Sequence, residues 1–276
     1  MSTLLSVAQV NVTFGGLRAL KDVYLDLHAN EVVGLIGPNG AGKTTLLNAI
    51  SGLVKPDSGS CTLYGKKEDF PKPHELVSHG ISRTLQGVGL FPDLTVLENV
   101  MIGAHKFSRA GLGRALLGRT AKDERALRER AQLALERVFA GGLANRRADT
   151  LAYPETKRVS IARALISEPK ILLLDEPAGG LGAQDIEWMN SLIHNLATQC
   201  SVILVEHHMD VVMSVCDRLY VLNFGEVISS GDVEVYSEKS PLGAAVLGAK
   251  IGETVNYTAP NGKQIKVAVL EAQLFS

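Results

Sequence analysis

One short stretch restricts what this chain can fold into more than any other: Gly37-Pro38-Asn39-Gly40-Ala41-Gly42-Lys43-Thr44. The apolar run Glu31 to Ile36 leads into it as a strand, and Thr45 to Ile50 leaves it as a helix. The spacing G-x-x-x-x-G-K-T puts Gly37, Gly42, Lys43 and Thr44 at the fixed positions of a P-loop, in the strand–loop–helix context that the motif requires. Glycines let such a loop curl so that successive N–H groups face inward, and the following helix points its positive end at the same spot. The backbone of Pro38, Asn39, Gly40 and Ala41 then forms a phosphate cradle that closes on Thr45. Lys43 reaches the β- and γ-phosphates, and the Thr44 hydroxyl ligates Mg²⁺. A turn that binds nothing would need the glycines but neither the lysine nor the hydroxyl.

The bulk properties suit such an α/β domain. At 276 residues and 46% apolar content the chain can bury a sizeable core, with room for an appendage. A net charge of −1 leaves no general electrostatic footprint for nucleic acid. The only locally basic segment, Arg109 to Arg130, interleaves acidic residues and reads as a solvated helix face. Cys61, Cys200 and Cys216 lack metal or disulfide spacing and read as reduced core residues of a cytosolic protein. No charged-then-apolar leader opens the chain, and no run of about 18 apolar residues could span a bilayer. Any membrane role is expected to come through a partner.

Leu4 to Phe14 alternates as a strand, and Val23 to Leu27 can pair with it across Gly15-Gly16. Phe14 is either a core aromatic or a platform for an adenine ring. A turn at Lys55 to Gly59 precedes a strand at Ser60 to Tyr64. A short helix at His74 to His79 and a strand at Ile81 to Leu85 follow, and the strand delivers Gln86. Between about residues 87 and 150 strand signals vanish. Thr95 and Glu98 form a capping-box pattern, Ser108 to Gly118 reads as a flexible loop, and Asp123 to Phe139 carries a helical period. This segment reads as a helical insert, after which a further helix is expected from Glu155 to Ile166.

Ile171 to Leu174 is a continuous apolar run that suits a parallel strand covered on both faces, and it ends in Asp175-Glu176. Downstream of a P-loop, that pair assigns Asp175 to Mg²⁺ and Glu176 to polarising the water that attacks the γ-phosphate. Ser201 to Val205 repeats the buried-strand pattern and ends in Glu206-His207. A lone histidine is usually structural, but the carboxyl edge of an open α/β sheet is where ligands bind. Leu219 to Leu222 and Gly225 to Ser229 read as a closing pair of strands.

In this order, from Leu4 to about Asp232, the elements resemble the nucleotide-binding subunit of ABC transporters. The features carrying the resemblance are Phe14, the P-loop, Gln86 within Gln86 to Val96, Asp175-Glu176 and His207. Leu85-Gln86, Leu97 to Val100 and Val205 to Met209 are most similar to the subunits of branched-chain amino acid importers. The resemblance implies an ABC-type P-loop fold over residues 1–235, with an antiparallel β subdomain and the helical insert. It also implies adenine stacking on Phe14, Mg²⁺ held by Thr44, Gln86 and Asp175, and catalysis involving Glu176, His207 and Gln86. Implied partners are a second ATP-binding subunit and a permease whose cytoplasmic helix the insert grips, at the cytoplasmic face of the membrane.

Two departures stand out. Where the family has Leu-Ser-Gly-Gly-Gln, this chain has Leu151-Ala152-Tyr153-Pro154-Glu155. Ala152 lacks the hydroxyl, Pro154 lacks an N–H, and Glu155 brings a negative charge to a segment that clamps the partner's γ-phosphate. Leu181-Gly182 stands where the family has an aspartate. A heterodimer with one intact clamp is therefore favoured, the alternative being a relaxed variant that still works through backbone N–H groups. Residues 236–276 are foreign to the family. Ser240 to Glu271 resembles the end of the C-terminal domain of Gre-type transcript-cleavage factors, with Asn261-Gly262 as a hairpin turn. A helix-plus-hairpin appendage is expected. The competing functional expectation is a soluble or regulatory ABC-type ATPase whose tail contacts RNA polymerase or another partner.

Overall fold

The structure, a computed structural model, describes residues 2–84, 89–104, 120–233, 253–258 and 264–268. Gln86, the loop 108–118, the Asn261-Gly262 turn and the helix expected near residues 240–248 lie outside that range. The expected α/β architecture is present. Strands β1 (Thr3–Phe14) and β2 (Leu17–His28) pair antiparallel around Gly15-Gly16, and β4 (Ser58–Leu63) and β5 (Lys66–Glu68) complete a four-stranded sheet ordered β2-β1-β4-β5. The second sheet contains β3 (Val32–Ile36), β6 (Ile81–Arg83), β7 (Ile171–Asp175), β8 (Ser201–Val205), β9 (Arg218–Asn223) and β10 (Glu226–Asp232). Its order is β10-β9-β3-β8-β7-β6, parallel throughout except for the edge strand β10.

Both faces of this sheet are covered, which is why its strands read as unbroken apolar runs. Leu172, Leu174, Val202 and Leu204 point into one core, which they share with five helices. These are α2 (Val96–Met101), α3 (Thr120–Arg137), α4 (Tyr153–Leu165), α5 (Ala183–Ala197) and α6 (Met209–Val215). Ile171, Leu173, Ile203 and Val205 point the other way, against β1, β2, β4 and the P-loop helix α1 (Lys43–Ile50). Each fully buried leucine or isoleucine contributes about 1.5–3 kcal/mol, so the P-loop after β3 and the Asp175-Glu176 pair at the end of β7 are fixed at the same carboxyl edge of one rigid sheet. The three cysteines are buried in these cores, and burial pushes the Cys61 and Cys216 thiols up to about 12 and Cys200 up to about 11.

The insert carries helices α2 and α3, as its periodicity requires. Arg125 and Arg128 on α3 pair with Glu129 and Glu124, the solvated face expected of the basic segment. The capping box of α2 is complete: Thr95 N–H and Oγ1 donate to Glu98 Oε2 at 2.8 and 2.7 Å, and Glu98 N–H returns to Thr95 Oγ1 at 3.2 Å. The Thr95 hydroxyl and then its N–H hold the Glu98 carboxyl below its ordinary value. A depressed folded-state value makes the carboxylate's contribution fully present above the unfolded value and lost as pH falls through the folded one. Thr95→Ala is therefore expected to lower stability by about 1 kcal/mol at neutral pH. The difference from the parent should shrink in acid, as urea unfolding at neutral and acid pH would read.

The helix expected at His74 to His79 is not formed. This stretch is a chain of turns whose backbone bonds are short-range, such as Gly80 N–H to Val77 O, and only His79 N–H to Glu75 O spans four residues. Helix α4 begins at Tyr153, earlier than expected, because Pro154 sits in the first turn, where a missing N–H is tolerated. The C-terminal residues form the antiparallel hairpin β11 (Thr254–Thr258) and β12 (Gln264–Ala268), in a register that pairs Thr258 with Gln264.

Candidate active site

The loop between β3 and α1 requires its glycines. Gly37, Gly40 and Gly42 have φ of 144°, 79° and 103°. A Cβ on Gly37 would lie 2.0 Å from Leu222 O, and one on Gly42 would lie 2.6 Å from Ala19 O. Gly42 caps α1 without a side-chain bond, and no acidic residue stands in the helix's first turn. The positive end of α1 thus has no internal carboxylate competing for it. Lys43 is 6% exposed, and its Nζ donates to Gly37 O at 2.6 Å and Pro38 O at 2.9 Å. Burial pulls the Lys43 ammonium below its ordinary value, with the nearby Glu176 and Asp175 carboxylates opposing that shift.

A cleft of about 630 Å³ runs from loop residues 39–45 past Glu176 to Phe14, Leu17, Arg18 and Phe224. Phe14 is 49% exposed at its mouth and is not a core aromatic. Glu176 follows β7 directly. Its N–H donates to Val205 O at 2.9 Å, and its φ of 48° is left-handed, an uncommon setting for a non-glycine residue. Lys157 Nζ and Gly179 N–H donate to its carbonyl at 3.1 and 3.2 Å, fixing the residue from behind.

Asp175 is buried, and its Oδ2 accepts from Arg83 Nη2 at 2.8 Å. Arg83 Nη1 also donates to Asn48 Oδ1 and Ser51 Oγ at 2.7 and 2.8 Å, joining β6, β7 and α1. Asp175 Oδ1 is buried with no partner. An orphaned carboxylate oxygen at the same sheet edge as the P-loop, with β8 between their two strands, fits a hard, oxygen-liganded cation such as Mg²⁺. Arg83 escaped the sequence reading, although an arginine in the short buried strand Ile81-Ser82-Arg83 is itself a signal of an internal ion pair.

His207 and the clamp segment lie apart from the cleft's lining. His207 stands at the end of β8 with half its side chain exposed, its Nδ1 3.9 Å from Glu206 Oε2. The buried Glu206 carboxylate accepts the N–H groups of Ala178 (2.7 Å), His207 (3.1 Å) and His208 (3.4 Å). At α4, Glu155 is not a free charge. Its Oε2 accepts Ala152 N–H at 2.8 Å and its Oε1 pairs with Arg146 Nη1 at 2.9 Å. Only this half of a capping box exists, since Ala152 offers no acceptor. The helix start is filled from within, and Tyr153 Oη donates to Gly179 O at 3.1 Å, tying it to the turn after Glu176.

The ABC transporter family profile matches residues 20–179, and a profile for the C-terminal part of the transcription elongation factors GreA and GreB matches residues 225–273. The high-affinity branched-chain amino acid transport ATP-binding protein LivG of Escherichia coli is 39% identical over 250 residues, covering 89% of this chain and 98% of LivG. Its counterpart BraF of Pseudomonas aeruginosa is 36% identical over 249 residues, with the same coverage. An ABC transporter cassette solved in its ADP conformation superposes with a TM-score of 0.77 at 29% identity, over 90% of this chain and all of that one. A dimeric bacterial cassette superposes with a TM-score of 0.70 at 30% identity, over 83% of this chain and 99% of that one. The Gre match begins earlier than Ser240 and takes in β10, which is hydrogen-bonded into the main sheet. With a matching profile over more than half its length and relatives aligned nearly end to end, this chain belongs to the ABC transporter family as an ATP-binding, ATP-hydrolysing subunit.

Proposed function

We propose that this chain powers import of branched-chain or related amino acids, peripheral to the cytoplasmic face of the membrane and bound to permease subunits. The observation that carries this reading is one cleft joining the P-loop, Glu176 and Phe14, in a chain 39% identical to nearly the whole of LivG. No helix among the described residues is long and apolar enough to cross a membrane.

In this reading the adenine stacks on Phe14, and the amides of residues 37–45 and Lys43 hold the phosphates. Thr44, Asp175 and Gln86 hold Mg²⁺, which when bound offsets phosphate charge. Glu176 accepts a proton from the attacking water, and His207 and Gln86 meet the γ-phosphate. Lys43 exchanges its bonds to Gly37 O and Pro38 O for phosphate oxygens, so the ammonium changes partners without returning to water.

The second ATP-binding subunit is a different chain. Glu155 and Arg146 already occupy the start of α4, leaving this chain's clamp a poor receptor for a partner's γ-phosphate. Purified alone, the chain is expected to turn ATP over slowly. Co-expression with a second cassette bearing an intact clamp should raise turnover about a hundredfold or more, the scale of a single well-placed transition-state donor. Brisk hydrolysis by the lone chain would overturn the heterodimer.

A second reading, contact with RNA polymerase through the C-terminal hairpin, is favoured by the Gre match over residues 225–273. Recovery of polymerase rather than a permease with the tagged chain would support it.

A further inference from the structure

We propose that Phe224 is a second aromatic wall of the cleft, closing on the nucleotide base from the β9–β10 turn while Phe14 supports it from β1. The inference rests on the nucleotide reading of the cleft and adds to it the element that grips the base.

Three independent features set Phe224 apart. It is 87% exposed, more than any other large apolar side chain among the described residues. Its backbone is also in the wrong region for its type. Asn223 pairs with Glu226, so Phe224-Gly225 is a two-residue hairpin turn, with φ of 45° and 80°. Positive φ at both positions is the pattern that selects Asn-Gly or Asp-Gly, and a bulky aromatic there is an outlier. A side chain that neither burial nor backbone preference favours is the kind that marks a ligand contact.

The third feature is how firmly the turn is held. Gly225 N–H donates to Ala41 O in the P-loop at 3.0 Å, and Gly225 O accepts Lys21 N–H from β2 at 2.8 Å. Lys21 and Glu226 form an ion pair beside it. A Cβ on Gly225 would come within 2.7 Å of Ala19 O, so the turn packs directly on β2. Phe224 therefore projects from a mount fixed to both the phosphate loop and the sheet that carries Phe14, and it lines the same cleft as Phe14 and Leu17. The polar end of that cleft suits phosphates, and this apolar end suits a flat base. Every base has a π-face, so the wall should serve ATP and GTP alike.

The test uses the full chain and measures equilibrium binding of Mg²⁺-ATP, Mg²⁺-GTP and Mg²⁺-tripolyphosphate, the last having phosphates but no base. Phe224→Ala and Phe224→Asn are expected to weaken ATP and GTP roughly tenfold or more, the scale of one lost base–aromatic stack. Tripolyphosphate binding should stay as in the parent, and Phe224→Tyr should bind all three like the parent. Because asparagine suits the turn, Phe224→Asn should melt about 2–4 °C above the parent while binding ATP more weakly, a combination that a merely structural role would not produce. Unchanged ATP affinity in Phe224→Ala would overturn the proposal, as would equal losses for ATP and tripolyphosphate. A parent that binds neither ligand better than its own Lys43→Ala variant would instead overturn the nucleotide reading itself.

Discussion

Replacing Glu176 with glutamine is expected to cut ATP turnover by about 10²–10⁴-fold while ATP stays bound, the range associated with losing a general base. The substitution keeps the side chain's size and its hydrogen-bonding reach. What it removes is the capacity to take a proton. The backbone supports a dedicated role for this residue: φ is 48°, the N–H is committed to Val205 O, and the carbonyl is held by Lys157 and Gly179. A left-handed non-glycine residue costs on the order of 1–3 kcal/mol and persists where its surroundings enforce it. Here they aim the carboxylate into the cleft that holds residues 39–45. Binding should tighten slightly if it changes at all, since one negative charge leaves the neighbourhood of the phosphates. Turnover should be measured with the partner cassette present, so that a weak lone chain does not mask the loss. A Glu176→Gln protein that hydrolyses ATP like the parent would remove Glu176 from the mechanism.

The parts of this molecule legible in the sequence were those whose physics is local. The P-loop announced itself because only glycine tolerates its φ values, and Ile171 to Leu174 announced itself because a strand buried on both faces has no polar side to show. The capping box at Thr95 could be read because both of its partners lie within one helical turn. Long-range contacts left a weaker trace. Nothing near Glu155 in the chain reveals that Arg146 would neutralise it, so its charge read as an obstacle to phosphate rather than as a plug within its own helix. Helices α5 and α6 left a weaker trace, since neither has a side-chain cap at its start and α6 is only seven residues long. At His74 to His79, residues of acceptable helix propensity settle into successive turns, since fewer than two helical turns seldom stand without tertiary support. Arg83 and Phe224 owe their positions at the site to strands far from them in sequence.

Arg83 carries the second large effect. Its guanidinium and the Asp175 carboxylate are nearly or fully buried, with side-chain exposures of 8% and 0%. Removing one member of such a pair strands the other charge, at a cost of about 3–5 kcal/mol. For a domain of this size that corresponds to a melting temperature lower by roughly 10 °C. Arg83→Met is the suitable change, because methionine fills most of the volume without offering a donor. The Arg83→Met/Asp175→Leu double variant should recover much of the loss, since a buried ion pair contributes little net stability over apolar side chains of similar shape. The two proteins should diverge in their response to ligand. The single variant keeps a buried carboxylate with an orphaned Oδ1 and no guanidinium beside it, so Mg²⁺-ATP should raise its melting temperature more than the parent's. The double variant, which lacks the carboxylate, should gain least. A single variant that melts with the parent would show that the Arg83–Asp175 contact does not hold β6, β7 and α1 together.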